Sequence, residues 1–354
     1  MKRLAVLNVV GLSRGLLGEH TPRLSAFAAK HEVAVFPPAF PAVTCTAQAS
    51  FLTGATAAGH GIVGNGWYER ESAEVRFWKQ SNHLVRGEKL WERLRREHPE
   101  FRCAKLFWWY NMYSSADYSI TPRPMYPADG RKVFDVHSHP LAIRDEIKKD
   151  LGEFPFPSFW GPRAGIESSR WIADSAKWIE ARHAPDLSLV YLPHLDYGLQ
   201  KFGPGATEIP AELQAIDGVV GDLLDFYDSR DVEVVVLSEY GISPVRRPVH
   251  LNRIFRRQGW LEIKNELGRE MLECGACRAF AVADHQVAHV HVNDASIRSE
   301  VRAVVAACEG VAEVREGSVA SGLGAARGGD FVAVADPDAW FTYYFWDDDA
   351  VAPD

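Results

Sequence analysis

The chain is 354 residues long, with 39 Lys and Arg against 47 Asp and Glu, a formal net charge of −8. That balance argues against a nucleic acid polymer as the main partner, because phosphate binding needs a basic field, and no run of about 18 apolar residues exists to span a membrane. At 47% hydrophobic and 24% charged residues, the composition is that of a globular chain able to bury a full core in roughly two domains, or in one domain with a large insertion.

Lys2 and Arg3 before apolar Leu4 to Leu12, with Ala26-Phe27-Ala28 further on, have the outline of a signal peptide. Arg14, Glu19, His20 and Arg23 interrupt it, so a buried first strand over Leu4 to Val10 is expected instead. Five cysteines are too few for a disulfide scaffold, and a cytoplasmic chain is expected.

Pro22 to Lys30 reads as a helix and Glu32 to Phe36 as the next strand. After Pro37, Pro38 and Pro41, the stretch Thr44 to Leu52 reads as a helix ending at Gly54. Strands follow at Cys103 to Trp109, Leu187 to Leu192 and Val232 to Leu237. Helices are expected near Glu88 to Glu97, Glu167 to Arg182 and Ala211 to Tyr227. Strands alternating with helices predict an α/β fold, with a central, mostly parallel sheet and helices on both faces. From Arg278 the pattern changes: short strands at Phe280 to Val282 and Val287 to Val292, a helix from Ala295 to Cys308, then strands near Val311 to Val314 and Phe331 to Val334. The aromatic-rich, turn-rich stretch from Trp67 to Trp160 reads as an inserted cap, so the division is 1–66 with 161–354 as the core and 67–160 as the cap.

Chemistry concentrates at strand and loop ends. Phe40-Pro41-Ala42-Val43-Thr44-Cys45-Thr46 runs into Gly54 and then Gly59-His60-Gly61-Ile62-Val63-Gly64-Asn65. A hydroxyl at a loop-to-helix junction meets free backbone N–H groups, which favour a developing anion. Capping the helix is the plainer role for Thr44 or Thr46. His194-Leu195-Asp196-Tyr197-Gly198-Leu199-Gln200 follows a strand directly, and Asp196 and Gln200 share a face if the segment is helical. Ser238-Glu239-Tyr240-Gly241 ends another strand, and Asn8 lies near the end of the first.

This ordered set resembles the alkaline phosphatase superfamily, in the branch of type I phosphodiesterases, nucleotide pyrophosphatases and phosphonoacetate hydrolases. The resemblance rests on Pro41-Ala42-Val43-Thr44, Thr53-Gly54, His60-Gly61-Ile62 with Asn65, Asp196 with Gly203-Pro204, and Ser238-Glu239-Tyr240-Gly241. It implies Thr44 as nucleophile and metal ligand, with Asn65 holding a phosphoryl oxygen. It also implies two zinc ions, which activate the nucleophile and stabilise both oxygens of an in-line displacement.

The chain departs from that pattern. Asn8 stands at the strand-one Asp, Gln200 at the His four residues after Asp196, and Glu239-Tyr240 at an Asp-His pair. No imidazole remains at a placed metal position. The donors left are Asn8, Thr44, Asp196, Gln200, Glu239 and Tyr240. Oxygen shells suit Mg, Mn or Ca better than Zn, so one hard cation, or no metal at all, is expected rather than a zinc pair.

The leading expectation is a hydrolase of phosphoric esters, pyrophosphates or phosphonates acting on a small anionic substrate. The alternative is a pseudoenzyme that keeps the fold as a binding module. His285 and His289 are candidates to replace a missing ligand, with His291 and His250 behind them; buried strand histidines are the plainer reading. Tyr110 and Asn111, near a strand end, are candidate pocket residues. Arg123 and Lys132 are cations that could meet an anion. Cys274-Gly275-Ala276-Cys277 lacks the strand-to-helix setting of a redox motif. An aromatic interface between copies, giving a homo-oligomer, is a further reading.

Overall fold

The structure is a computed structural model and describes residues 2–317 and 327–353. In chain order the elements begin with β1 (Arg3–Val9), α1 (Pro22–Lys30), α2 (Thr44–Thr53), α3 (Ala57–His60), β2 (Gly66–Glu69), β3 (Glu74–Phe77) and α4 (Leu90–Glu97). There follow β4 (Cys103–Leu106), β5 (Tyr118–Met125), β6 (Val133–His139), α5 (Ala142–Leu151), α6 (Ile166–His183), β7 (Leu187–Leu192), α7 (His194–Phe202), α8 (Ile209–Asp228) and β8 (Val232–Leu237). The last are β9 (Arg247–Val249), α9 (Leu251–Arg257), β10 (Ile263–Glu266), β11 (Arg269–Leu272), β12 (Ala279–Asp284), β13 (Val287–Val292), α10 (Arg298–Ala306), β14 (Val311–Glu316), β15 (Phe331–Ala335) and β16 (Ala339–Phe341).

The chain forms two compact units. The first comprises residues 1–38, 80–84 and 88–242; the second comprises 39–79, 85–87 and 243–354. The first holds a six-stranded sheet in the order β6-β5-β4-β7-β1-β8. Every neighbouring pair in it is parallel except β5 with β6. Strand β7 is buried along its whole length, as its unbroken apolar run requires of a strand covered on both faces.

The expected strand at Glu32 to Phe36 is irregular instead, with Val35 75% exposed. The reason lies in the sheet order. Strand β1 already has β7 on one side and β8 on the other, so no edge remains beside it for a strand following α1.

The expected cap is also revised, because β4, β5 and β6 belong to the six-stranded sheet. Strand β5 was hidden by Pro122 and Pro124. Its Ile120 carbonyl faces β4, accepting the Phe107 N–H at 2.8 Å. By alternation Pro122 and Pro124 face that same side, but β4 pairs only with Tyr118 to Ile120. The missing N–H groups therefore deprive no ladder. Strand β4 stops at Leu106 rather than Trp109 because Phe107 turns to φ 62°.

The second unit holds the four-stranded sheet β12-β13-β15-β14, antiparallel throughout. Its core gathers Phe255, Trp260, Phe280, Val301 and Phe331. Helix α10 starts at Arg298, after a 3-10 turn over Ala295–Ile297, rather than at Ala295. Helix α2 ends as expected: Gly54 takes φ 66° and its amide returns to the Ser50 carbonyl, a left-handed cap that glycine adopts without penalty.

Candidate functional site

In the second unit Thr44 is the first residue of α2 and is buried. Its neighbour Cys45 donates its backbone N–H to Asn65 Oδ1 at 3.0 Å. This bond ties the start of α2 to the end of the 60–65 loop. It also settles the orientation of the Asn65 amide, whose Nδ2 then donates to Asp284 Oδ1 at 3.2 Å. The Asn65 backbone N–H donates to Asp284 Oδ2 at 2.7 Å.

The rest of the loop is fastened residue by residue. The Ile62 N–H donates to His60 Nδ1 at 3.1 Å, so the proton sits on Nε2, which lies 3.0 Å from Ser50 Oγ. Burial lowers the His60 pKa to about 4, with Arg86 adding to the shift, and the ring is neutral at pH 7. Thr46 Oγ1 donates to the Ile62 carbonyl at 3.2 Å. The plainer capping role expected of Thr44 or Thr46 is not seen: Val43 stands at the N-cap of α2 and no side chain caps it, while Thr46 and His60 tie the helix and the 60–65 loop together.

His289 accepts the Gly329 N–H at Nδ1 and meets the Val63 carbonyl with Nε2 at 3.0 Å. Both ring nitrogens serve the backbone, so His289 has no lone pair left for a metal in this arrangement. His291 lies in the core against Tyr68 and Phe280, and its pKa is driven well down by burial. His285 sits at the β12–β13 turn with Nδ1 2.9 Å from Asp284 Oδ1. His250 Nδ1 lies 2.7 Å from Thr342 Oγ1. Burial raises the thiols of Cys274 and Cys277 to about 12 and about 11, which keeps them protonated and unreactive.

The first unit carries the other candidates. Asn8 of β1 donates Nδ2 to Glu239 Oε1 at 2.6 Å, just past β8. Asp196 lies in the first turn of α7. Gln200, one turn on, donates Nε2 to Asp196 Oδ2 at 2.8 Å, and the Tyr240 hydroxyl donates to Oδ1 at 3.1 Å. The turn after β1 approaches closely at Gly11, where φ is 82° and a Cβ would stand 3.0 Å from Leu199 Cδ1. Within this unit these strand and loop ends carry two hydrogen-bonded groups, Asn8 with Glu239 and Asp196 with Gln200 and Tyr240.

Tyr110 and Asn111 are buried, and both serve the loop after β4. Asn111 Nδ2 donates to the carbonyls of Lys105 and Ile120. Lys105, wholly buried, donates Nζ to the carbonyls of Trp109 at 2.8 Å and Tyr110 at 2.9 Å. Burial lowers its pKa to about 7. Arg123 and Lys132 are exposed.

This donor chemistry does not fit a zinc pair. Among the described residues no three His, Cys, Asp or Glu side chains gather as a metal cage. The amides of Asn8 and Gln200 turn their NH2 groups, not their oxygens, toward the carboxylates. Turning either amide over would set oxygen against carboxylate unless a cation came between them.

The six-stranded, mostly parallel sheet with its helices and this order of loops define a member of the alkaline phosphatase-like class. The chain belongs to the type I phosphodiesterase/nucleotide pyrophosphatase family, whose profile matches residues 4–353. It is 25% identical over 248 residues to an uncharacterized pyrophosphatase/phosphodiesterase of Schizosaccharomyces pombe, covering 66% of this chain and 44% of that protein. The chain therefore spans under half the length of that curated relative. Phosphonoacetate hydrolase from Sinorhizobium meliloti, solved with phosphonoformate, superposes with a TM-score of 0.67 at 16% identity over 97% of this chain and 82% of that one. Murine ectonucleotide pyrophosphatase/phosphodiesterase 5, an inactive variant with AMP, gives 0.63 at 15% identity over 98% and 82%.

Asp284 and Lys105 escaped the sequence reading. Asp284 lies 219 positions from Asn65, and only its place beside a candidate histidine hinted at a role. Lys105 sits in a short apolar strand with no motif around it.

Proposed function

We propose that this chain hydrolyses a small phosphoric ester, pyrophosphate or phosphonate, with the Thr44 hydroxyl as nucleophile and Asn65 holding a phosphoryl oxygen. The observation that carries the reading is the Cys45 N–H to Asn65 Oδ1 bond, which joins the residue after Thr44 to the amide group expected to meet the phosphoryl group. Asp284 takes one of the two Asn65 Nδ2 hydrogens, and the other is the donor assigned to the anion. The N-terminal turn of α2 adds a favourable field for negative charge. Relatives in the same fold, with phosphonoformate or AMP in their solved structures, fit a small anionic ligand. The acidic net charge fits a small molecule better than a nucleic acid polymer.

The oxygen donors Asn8, Asp196, Gln200, Glu239 and Tyr240 suit at most one hard cation, Mg, Mn or Ca. When bound, such an ion would neutralise the negative charge of the carboxylates that hold it. The same set favours a second reading. Its amide-to-carboxylate bonds leave the carboxylates hydrogen-bonded without any ion, as a binding module with no turnover would need.

Turnover of an aryl phosphodiester, with added manganese or zinc, compared between the native chain and Thr44→Ala, separates the two. Loss of turnover in the variant supports the hydrolase. Equal rates in both would end that reading, and anion binding without turnover in the native chain would establish the module.

A further inference from the structure

We infer that Asp284 is a positioning residue, which sets the orientation of the Asn65 side chain at the end of the 60–65 loop. The inference deepens the reading of Thr44 and Asn65 as the reacting pair and rests on it. Two contacts and one clearance carry it. One carboxylate oxygen takes the Asn65 backbone N–H at 2.7 Å, and the other takes the Asn65 side-chain Nδ2 at 3.2 Å. A carboxylate accepting from both ends of one residue fixes that residue's side-chain torsions as well as its main chain. Third, a Cβ on Gly64 would stand 2.9 Å from Asp284 Oδ2, so the carboxylate occupies space that only glycine leaves open.

Asp284 is itself held. It closes β12, is buried, and pairs with Val287 across the β12–β13 hairpin. His285, at φ 60°, places Nδ1 2.9 Å from Asp284 Oδ1. The chain of contacts therefore runs from a rigid hairpin through Asp284 to Asn65 and on to the Cys45 N–H. A buried carboxylate here costs desolvation unless it is hydrogen-bonded, and the two Asn65 donors supply those bonds.

Two variants test this. Asp284→Asn keeps the shape but sets an NH2 against one of the two Asn65 donors, and Asp284→Ala removes both acceptors. Crystal structures of either should show the Asn65 amide displaced by about 1 Å or turned over, with the Cys45 N–H bond lost, enough to misplace a reacting group. Turnover of an aryl phosphodiester should fall about tenfold or more, mainly in kcat. In an Asn65→Ala background the same Asp284→Asn change should alter the rate less than about twofold, since residues acting as a unit are non-additive. Asn65 unmoved in both variants overturns the inference, and so does an equal loss of rate with and without Asn65. A native chain with no turnover overturns the hydrolase reading instead, and the position of Asn65 in the variants still decides this one.

Discussion

The Asn8 side-chain amide donates to Glu239 Oε1 across 2.6 Å, with both side chains buried at the end of the six-stranded sheet. A neutral donor therefore stands where a second carboxylate would need a cation between the two. Asn8→Asp places two acids in contact, and the pKa of one must rise. The unfolded chain then releases that proton more readily than the folded one, so stability falls as pH rises through the acid's unperturbed range. The variant should lose about 3 kcal/mol at pH 7 and recover much of it near pH 4, as read by urea unfolding at the two pH values.

Zinc addition gives a complementary measurement. A ligand that binds only the folded state raises the melting temperature. The hydrogen-bonded donor set of Asp196, Gln200 and Tyr240 should leave melting unchanged with zinc at several equivalents and after chelation. Stoichiometric zinc in the purified chain by elemental analysis, or a clear stabilisation by zinc, would contradict the donor-set argument.

His60 has its pKa lowered to about 4, chiefly by burial. Between that value and about 6.5, the unperturbed imidazole value, the unfolded chain binds more protons. This residue therefore makes stability fall as pH drops through that window. His60→Gln should flatten that part of the pH profile and cost about 1–2 kcal/mol at pH 7 through its lost bonds to Ile62 and Ser50. Unfolding curves from pH 4 to pH 7 for the two proteins check both effects.

Lys105 acts with the same sign at the alkaline end of the pH scale. Its pKa of about 7 lies far below that of a solvated amine because of burial. From about 7 up to about 10.4, the unperturbed lysine value, the unfolded chain holds the extra proton, so this group makes stability rise with pH. Lys105→Met should remove that rise. It should also loosen the 107–113 loop, whose carbonyls at Trp109 and Tyr110 lose a shared donor. Hydrogen exchange of that loop, beside unfolding at pH 7 and pH 10, measures the two consequences.

Gly64→Ala would force its Cβ within 2.9 Å of Asp284 Oδ2 and 3.2 Å of the Gly66 carbonyl. One neighbour is backbone and the other a fixed carboxylate, so neither yields cheaply. A loss of about 1–3 kcal/mol is expected, where an exposed glycine such as Gly205, with nothing near its Cβ, should change little. Thermal melts of the two alanine variants side by side provide the comparison.

Much of this was legible from local pattern. The apolar run of β1, the helix beginning at Thr44 and its end at Gly54 follow from rules acting over a few residues, and the structure matches each. The order of the Thr44-to-Asn65, Asp196 and Glu239 segments was enough to indicate the family. The substituted positions were also visible as residue types, since Asn8, Gln200, Glu239 and Tyr240 can be read directly.

Partnership over long separations was not legible. Whether Glu32 to Phe36 could be a strand depended on β7 and β8 filling both sides of β1, and Pro122 disguised a strand whose unpaired side no local rule reveals. Side-chain chemistry at the site followed the same division. Sequence alone determined which donors and acceptors each segment carries, because residue type and local backbone propensity are properties of short stretches. Only the tertiary structure decided that the Asn8 and Gln200 amides face carboxylates, that His289 serves two backbone groups, and that Asp284 takes hold of Asn65. Hydrogen bonds are short-ranged and directional, and which distant groups come within reach is set by packing.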